Sequence, residues 1–241
     1  MTEGGAPART GMALAAGLGT RMRPLTNDRP KCLIEVGGRT LLDHALDTLG
    51  ACGVTRAVVN VHYFPDQVEA HLRTRTLLPD IAVSHERALL LETGGGVVKA
   101  LPLLGAGPVI VTNTDAIFVP GDADTLGPLL ADFDPAREDS RLILVPKERA
   151  MGMNGNGDFH LTPDRLLVPP EKGGQAPHFY TGMQILNPDI LRGWPEKPFS
   201  MYEVWRTAIA AGRLTGRVFA GDWLHVGDPA GLAAAERRLA R

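Results

Sequence analysis

Along this chain, short apolar runs alternate with stretches whose apolar residues recur every three to four positions. Strands feeding helices in this way predict an α/β fold with a mainly parallel, mixed central sheet flanked by helices. Met12–Ala16 reads as a strand of small residues that runs straight into a pair of glycines. In LLDHALDTLGA, Leu41, Leu42, Ala45, Leu46 and Leu49 fall at helical spacing behind Thr40, a natural N-cap. Arg56–Val61, Ile81–His85 and Val109–Val111 read as further strands, the last apolar enough to be buried on both faces. Pro65–Arg73 reads as a helix, and TGGGVVKAL from Thr93 as a glycine-rich turn opening another. Further on the pattern loosens into strands at Leu142–Val145, Phe159–Leu161, Leu166–Val168 and Phe179–Leu186, with helices at Tyr202–Ala211 and Pro229–Ala240. No repeat or low-complexity linker interrupts the chain. One domain over residues 11–241 is therefore expected, behind a loose polar tail at residues 1–10.

Composition narrows the function classes. A length of 241 residues suits one full domain and is short for two. With 25 basic and 27 acidic residues the net charge is -2, which argues against a general nucleic-acid binder. It leaves room for a small anion in a local basic pocket. Cys32 and Cys52 have no metal-ligand spacing and read as reduced thiols of a cytoplasmic protein. No run approaches the ~20 apolar residues of a membrane span, and MTEGGAPART lacks the apolar core of a signal peptide. The expectation is a cytoplasmic protein without a membrane partner, as a monomer or a small homo-oligomer.

The chemistry concentrates in AAGLGTRMRPLTNDRPK, Ala15–Lys31. Two glycines one residue apart after a strand suggest backbone laid against a phosphate. A dinucleotide fingerprint needs a third glycine where Met22 stands, and a P-loop needs a Gly-Lys-Ser/Thr string that the chain lacks. Taken alone, GLG is equally an ordinary strand-to-helix turn with basic residues on its wet face.

The longer string, from Leu14 through Pro30-Lys31 to Gly38, resembles the signature loop of the sugar-1-phosphate nucleotidyltransferases. The resemblance implies a Rossmann-like nucleotidyltransferase fold, with a nucleotide-binding half over about residues 11–118 and a sugar-binding half over about 119–241. It also implies that the loop wraps a nucleoside triphosphate. Ala15, Ala16, Gly17, Gly19, Thr20 and Met22 would line it, Arg21 would meet the β/γ-phosphates, and Lys31 would sit between the α-phosphate and the incoming sugar phosphate. The implied reaction is in-line attack by a sugar-1-phosphate oxygen on the α-phosphorus, with release of pyrophosphate. Such transfers are catalysed mostly by positioning and charge stabilisation, which explains why Arg21 and Lys31 are the catalytic candidates. Arg23 is a substrate contact or a surface ion-pair partner; the sequence does not choose.

LETGGGVVKA, TNTD, NGNGDF and FYTGMQIL extend the likeness. By it, Gly94 and Gly95 let a base slide close to the backbone, and Glu92 orients that base or caps the helix. Asp115 ends a buried strand and would bind magnesium, with manganese an alternative. Asn113, Gly157, Thr181 and Gly182 would floor the sugar site, and Glu171 with Lys172 would reach a sugar hydroxyl and its phosphate. ETGGG, GDF and W-x-x-V-G are most like the short members of cell-wall sugar recycling. For these the substrate pair is UTP and N-acetylmuramate 1-phosphate. A mannose- or heptose-1-phosphate guanylyltransferase is the alternative in the same chemistry.

GDWLHVGDP departs from the family's W-x-D-V-G-T, where the aspartate is a second magnesium ligand. His225 holds that place here, and imidazole serves magnesium poorly. Three readings compete. His225 ligates a metal or its water; Asp222 or Asp228 supplies the oxygen instead; or the chain is a non-catalytic nucleotide-binding regulator. Asp228 also has a structural explanation, as an N-cap before Pro229.

Overall fold

The computed structural model describes residues 9–120 and 126–240. Seven strands form the central sheet: β1 (Arg9–Leu14), β2 (Val54–Val61), β3 (Asp80–His85), β4 (Val109–Asn113), β6 (Ser140–Pro146), β7 (His178–Leu186) and β8 (Leu214–Val218), where β5 (Ala116–Val119) lies outside it. Their spatial order is β8-β6-β7-β4-β1-β2-β3. The β1, β2, β3 and β4 pairings are parallel, as is β6 with β8, while β7 runs antiparallel to both neighbours. The expected mixed, mainly parallel sheet is what forms.

Side-chain alternation divides the core between the two faces of the sheet. On β1, Ala13 joins Leu42, Leu46 and Leu49 of helix α1 (Leu41–Ala51) and Val68 of α2 (Pro65–Thr74). Met12 faces the other way, toward Val97 and Ala100 of α3 (Glu92–Leu104) and Leu142 of β6. The same layer holds Val204, Trp205 and Ala208 of α5 (Met201–Ala210). Burying large apolar side chains stabilises a fold by roughly 1.5–3 kcal/mol each, so these two layers supply most of the driving force. A third cluster joins Met22, Ile34 and Leu41 to Ile117 of β5, Leu224 of β9 (Asp222–His225) and Ala235 of α6 (Pro229–Leu239). It lies beneath the glycine loop and ties the end of the chain to its beginning.

Helix α1 begins as expected, with Thr40 Oγ1 accepting the Asp43 N–H at 3.1 Å. Asp228 caps α6 in the same way by accepting the Gly231 N–H at 2.8 Å. Strand β1 starts three residues earlier than expected and stops before Ala15. Ala15 leaves the ladder because its N–H donates instead to Asn60 Oδ1, at 2.8 Å. The tail expected at residues 1–10 lies outside the described residues except for Arg9 and Thr10, which already belong to β1. The short helix α4 (Leu126–Ala131) and strands β5, β8 and β9 were not foreseen. Among the described residues no helix is long and apolar enough to cross a membrane.

Candidate active site

Strands β1, β2 and β4 are parallel neighbours, so their C-terminal ends open on one crevice, the usual ligand position in such sheets. A cavity of about 530 Å³ fills it. One wall is the glycine loop, contributing Ala15, Ala16, Gly17, Gly19, Thr20 and Arg21. Lys31, Asn113 and Asp115 also line it, as do Glu92 and Thr93.

The loop is built to expose backbone there. Gly19 has φ +63°, and a side chain on it would meet Lys31 Cβ at 2.9 Å and Thr26 Cγ2 at 3.0 Å. Only glycine allows both this left-handed turn and the close passage of the Lys31 stem. Thr26 Oγ1 then donates to the Gly19 carbonyl at 2.8 Å, and Tyr63 donates to the Thr26 carbonyl at 3.1 Å. Gly17 has open space around it. The Met22 side chain is fully buried in the cluster beneath the loop and lies outside the cavity lining. Met22 anchors the loop from below.

Lys31 Nζ forms an ion pair with Asp115 Oδ2 at 2.9 Å, both side chains being less than a quarter exposed. Burial would raise the Asp115 carboxyl; Lys31, His225 and Arg21 outweigh it and hold the group below the usual carboxylate value. Arg21 is exposed at the cavity mouth and makes no ion pair among the described residues, so its guanidinium is available to an anion. Arg23 is also exposed but lies outside the lining. Cys32 lines the cavity, yet burial pushes its thiol up to about 12, which removes it as a thiolate nucleophile.

His225 ends β9, which pairs antiparallel with β5, and the next residue, Val226, donates its N–H to the Asp115 carbonyl at 2.8 Å. Its imidazole stacks on Trp223, with centroids 5.4 Å apart, and presses on Gly227, where a side chain would come within 2.3 Å of Nε2. Burial lowers the His225 pKa, opposed by Asp115 and reinforced by Lys31 and Arg21. The ring is therefore neutral near pH 7 and retains a lone pair. Asp228 is occupied as the α6 cap, and Asp222 pairs with Arg238 at 2.9 Å and with Arg149. Neither lies in the lining of the cavity. Among the described residues, no group of three His, Cys, Asp or Glu side chains is arranged to hold a metal. One carboxylate suits a magnesium ion that keeps its waters and arrives on substrate phosphates. The donor set fits that kind of site and not a closed protein cage.

A second cavity, of about 440 Å³, adjoins α5 and is lined by Gly157, Asp158, Glu171, Lys172, Tyr180 and Trp205 among others. It collects three parts of the expected sugar site, including the Glu-Lys pair. Tyr180 lines the second cavity, and burial, with the Asp115 charge adding to it, raises its hydroxyl pKa. Thr181 and Gly182 depart from expectation. Thr181 is fully buried, donates to the Ile143 carbonyl at 2.8 Å and accepts from Trp223 Nε1 at 3.0 Å. Gly182, at φ +84°, leaves room for Asn113, whose side chain would lie 3.0 Å from any Cβ there. These two residues shape the floor from behind and line neither cavity.

Gly94 and Gly95 lie inside the first turns of α3, directly after the lining residue Thr93 but not themselves in the lining, with both N–H groups directed at the Phe199 carbonyl. A side chain on Gly94 would strike the Phe199 ring at 2.2 Å, and one on Gly95 the Lys197 carbonyl at 2.1 Å. The missing side chains admit the neighbouring Lys197–Phe199 segment. Leu90, Glu92, Thr93 and Ser200 also line the cavity, and Glu92 has the uncommon φ of +58° for a non-glycine residue. Asn60, which also lines this cavity, escaped the sequence reading; its position at the C-terminal end of a central parallel strand was the available signal.

Residues 11–188 match the family described as the MobA-like NTP transferase domain. The chain is 49% identical over 232 residues to the N-acetylmuramate alpha-1-phosphate uridylyltransferase of Caulobacter vibrioides, covering 95% of this chain and 96% of that one. Its counterpart of the same name in Neisseria meningitidis serogroup B is 36% identical over 228 residues, covering 93% and 96%. Among solved structures, the inositol-1-phosphate CTP transferase from T. maritima matches with a TM-score of 0.78 at 20% identity, covering 97% of this chain and 95% of that one. At that identity the likeness speaks for the fold alone.

Proposed function

The chain belongs to the MobA-like NTP transferase family, and from that membership we propose that it joins UTP to N-acetylmuramate 1-phosphate in cell-wall sugar recycling. The products are the UDP-sugar and pyrophosphate. The observation that carries this reading is the Lys31–Asp115 ion pair, set in a cavity walled by the glycine loop. The nucleotide half, about 11–118, holds the triphosphate, and the half from about 119 onward holds the sugar in the Gly157–Glu171–Tyr180 cavity.

In the reaction a phosphate oxygen of the sugar 1-phosphate bonds to the α-phosphorus of UTP as the α–β bridging bond breaks. The released electron pair leaves on pyrophosphate. Both reactants are anions, so cations in fixed positions lower the barrier. Arg21 offers a planar fork to the β/γ-phosphates. Lys31 supplies a compact charge between the α-phosphate and the attacking oxygen. Without substrate, Lys31 neutralises Asp115; as the triphosphate arrives, Lys31 turns to the phosphate and frees a carboxylate oxygen. Asp115 would hold a magnesium or manganese ion, which would supply further charge neutralisation to the reacting phosphates. The His225 ring, packed against Trp223 and Gly227, would offer a nitrogen donor to that ion or to its water.

The test is a matrix of UTP, CTP, GTP and ATP against N-acetylmuramate, N-acetylglucosamine, mannose and heptose 1-phosphates, read by pyrophosphate release. The expected result is turnover with UTP and N-acetylmuramate 1-phosphate. GTP turnover with mannose or heptose 1-phosphate, without UTP turnover, replaces it with the guanylyl reading. Nucleotide binding without pyrophosphate release under either magnesium or manganese identifies a regulator.

A further inference from the structure

Outside the pairs already assigned, the described residues hold a buried polar relay that the reaction does not use. Asn60 and Glu86 are each only 2% exposed. Asn60 Oδ1 accepts the Ala15 N–H at 2.8 Å, and Asn60 Nδ2 donates to Glu86 Oε1 at 2.7 Å. Glu86 Oε2 accepts the Leu91 N–H at 2.9 Å. Three hydrogen bonds thus run from the start of the glycine loop to the residue before α3. Helix α3 has no side-chain cap of its own at Leu91, so the Glu86 carboxylate serves that helix end from a different segment, where negative charge is favoured. Glu86 forms no ion pair among the described residues.

Both ends of the relay adjoin cavity-lining residues: Ala15, Ala16 and Gly17 at one end, and Leu90, Glu92 and Thr93 at the other. We infer that the Asn60–Glu86 relay is a positioning device for the nucleoside triphosphate, holding the phosphate loop and the base-end loop at one fixed separation before the nucleotide binds. The inference rests on the reading of this cavity as the triphosphate site. Prepaid order of this kind strengthens binding without adding a contact. It also accounts for the last glycine of ETGGG: a side chain on Gly96 would lie 2.8 Å from Glu86 Oε1 and 3.0 Å from Asn60 Nδ2, between the two bonded groups.

Donor and acceptor counts make the relay testable with near-isosteric changes. The two Glu86 oxygens accept from two different donors, whereas glutamine has a single acceptor oxygen. In either orientation, Glu86→Gln sets an NH2 against a donor, at Asn60 or at Leu91. Gly96→Ala attacks the same bonds from the opposite side and suits the helix better than glycine does, so it keeps the question open if Glu86→Gln fails to fold. UTP affinity is measured by calorimetry with magnesium, and KM for N-acetylmuramate 1-phosphate by pyrophosphate release. Each variant is expected to weaken UTP binding about tenfold, the scale of one lost hydrogen bond to a charged group. KM for the sugar phosphate should stay within about twofold, a split that general destabilisation does not produce. If wild-type protein binds UTP and both variants bind it equally well, the relay has no positioning role. If wild-type protein does not bind UTP, the triphosphate reading itself is lost.

Discussion

Replacing Lys31 by methionine keeps the stem that packs on Gly19 and removes the charge that faces Asp115. At 2.9 Å the Coulomb attraction between two unit charges is about 6 kcal/mol for an effective dielectric constant of about 20. The variant leaves the mostly buried Asp115 carboxylate without its partner, so the loss to the fold is on the order of 3 kcal/mol. For a chain of this length the melting temperature should fall by roughly 6–12 °C. On the proposed mechanism the transition state loses more, because there Lys31 would face the reacting phosphates instead of a carboxylate. Removing one such contact typically lowers kcat by about 10²–10³. KM for UTP should change less, since Arg21 and the loop backbone still hold the other phosphates. One consequence is less obvious. Lys31 competes with metal ions for Asp115, so the ligand-free variant should bind Mn²⁺ more tightly than wild type, as read by electron paramagnetic resonance. Single-turnover pyrophosphate release gives the chemical rate directly. A rate within tenfold of wild type, or a large rise in KM at unchanged kcat, would remove Lys31 from the reacting centre and leave it as an anchor.

Asp115→Asn should lower magnesium-supported turnover by about 10³-fold and leave a folded protein that still binds UTP; retained pyrophosphate release excludes Asp115 as the metal carboxylate. His225→Asp should hold or raise magnesium-supported kcat, because a hard oxygen replaces a nitrogen donor. A folded but inactive product, at any magnesium concentration, assigns the imidazole a role of its own. Away from the site, Arg141 Nε donates to Glu138 Oε2 at 2.9 Å, and Thr215 also bonds that carboxylate. Burial raises the Glu138 carboxyl, but these partners win and hold it below its usual value of 4.5. Its stabilising contribution is thus complete above that value and is lost as pH falls through the depressed one. Glu138→Gln should therefore flatten the acid limb of the melting temperature below about pH 4.5, and an unchanged limb refutes the assignment.

The regular elements were readable wherever one period dominated. Helix α1 falls on Leu41–Ala51 as expected, because its apolar stripe and Thr40 cap point to the same boundary. Strands β8 and β9 were missed for a shared reason. LTGRV and DWLH mix polar and apolar residues, and β9 pairs in a small side sheet with β5 and Ala150–Met151, so no unbroken apolar run marked it. The polar half of the site was also legible. Arg21, Lys31 and Asp115 do meet in one cavity, since a charged residue at the end of a central parallel strand has few places to go except the crevice.

The glycines were harder, because a glycine marks close approach without saying what approaches. At Gly19 the neighbours are Thr26 and the Lys31 stem; at Gly94 and Gly95 they are Phe199 and Lys197; at Gly96 they are Glu86 and Asn60. In every case the intruder is protein, yet the site depends on each contact. Gly19 aims Lys31, Gly94 and Gly95 seat the segment that brings Ser200 to the cavity, and Gly96 clears the relay between the loops. Gly227 extends the argument to His225, since any side chain there would drive the imidazole off Trp223. The local fold around this position therefore already accommodates the larger ring, and an aspartate would leave the space beside Gly227 partly empty. That packing is why His225→Asp is the sharpest single change: it introduces an oxygen donor while loosening the clamp, so the melting temperature should fall while magnesium-supported kcat holds or rises.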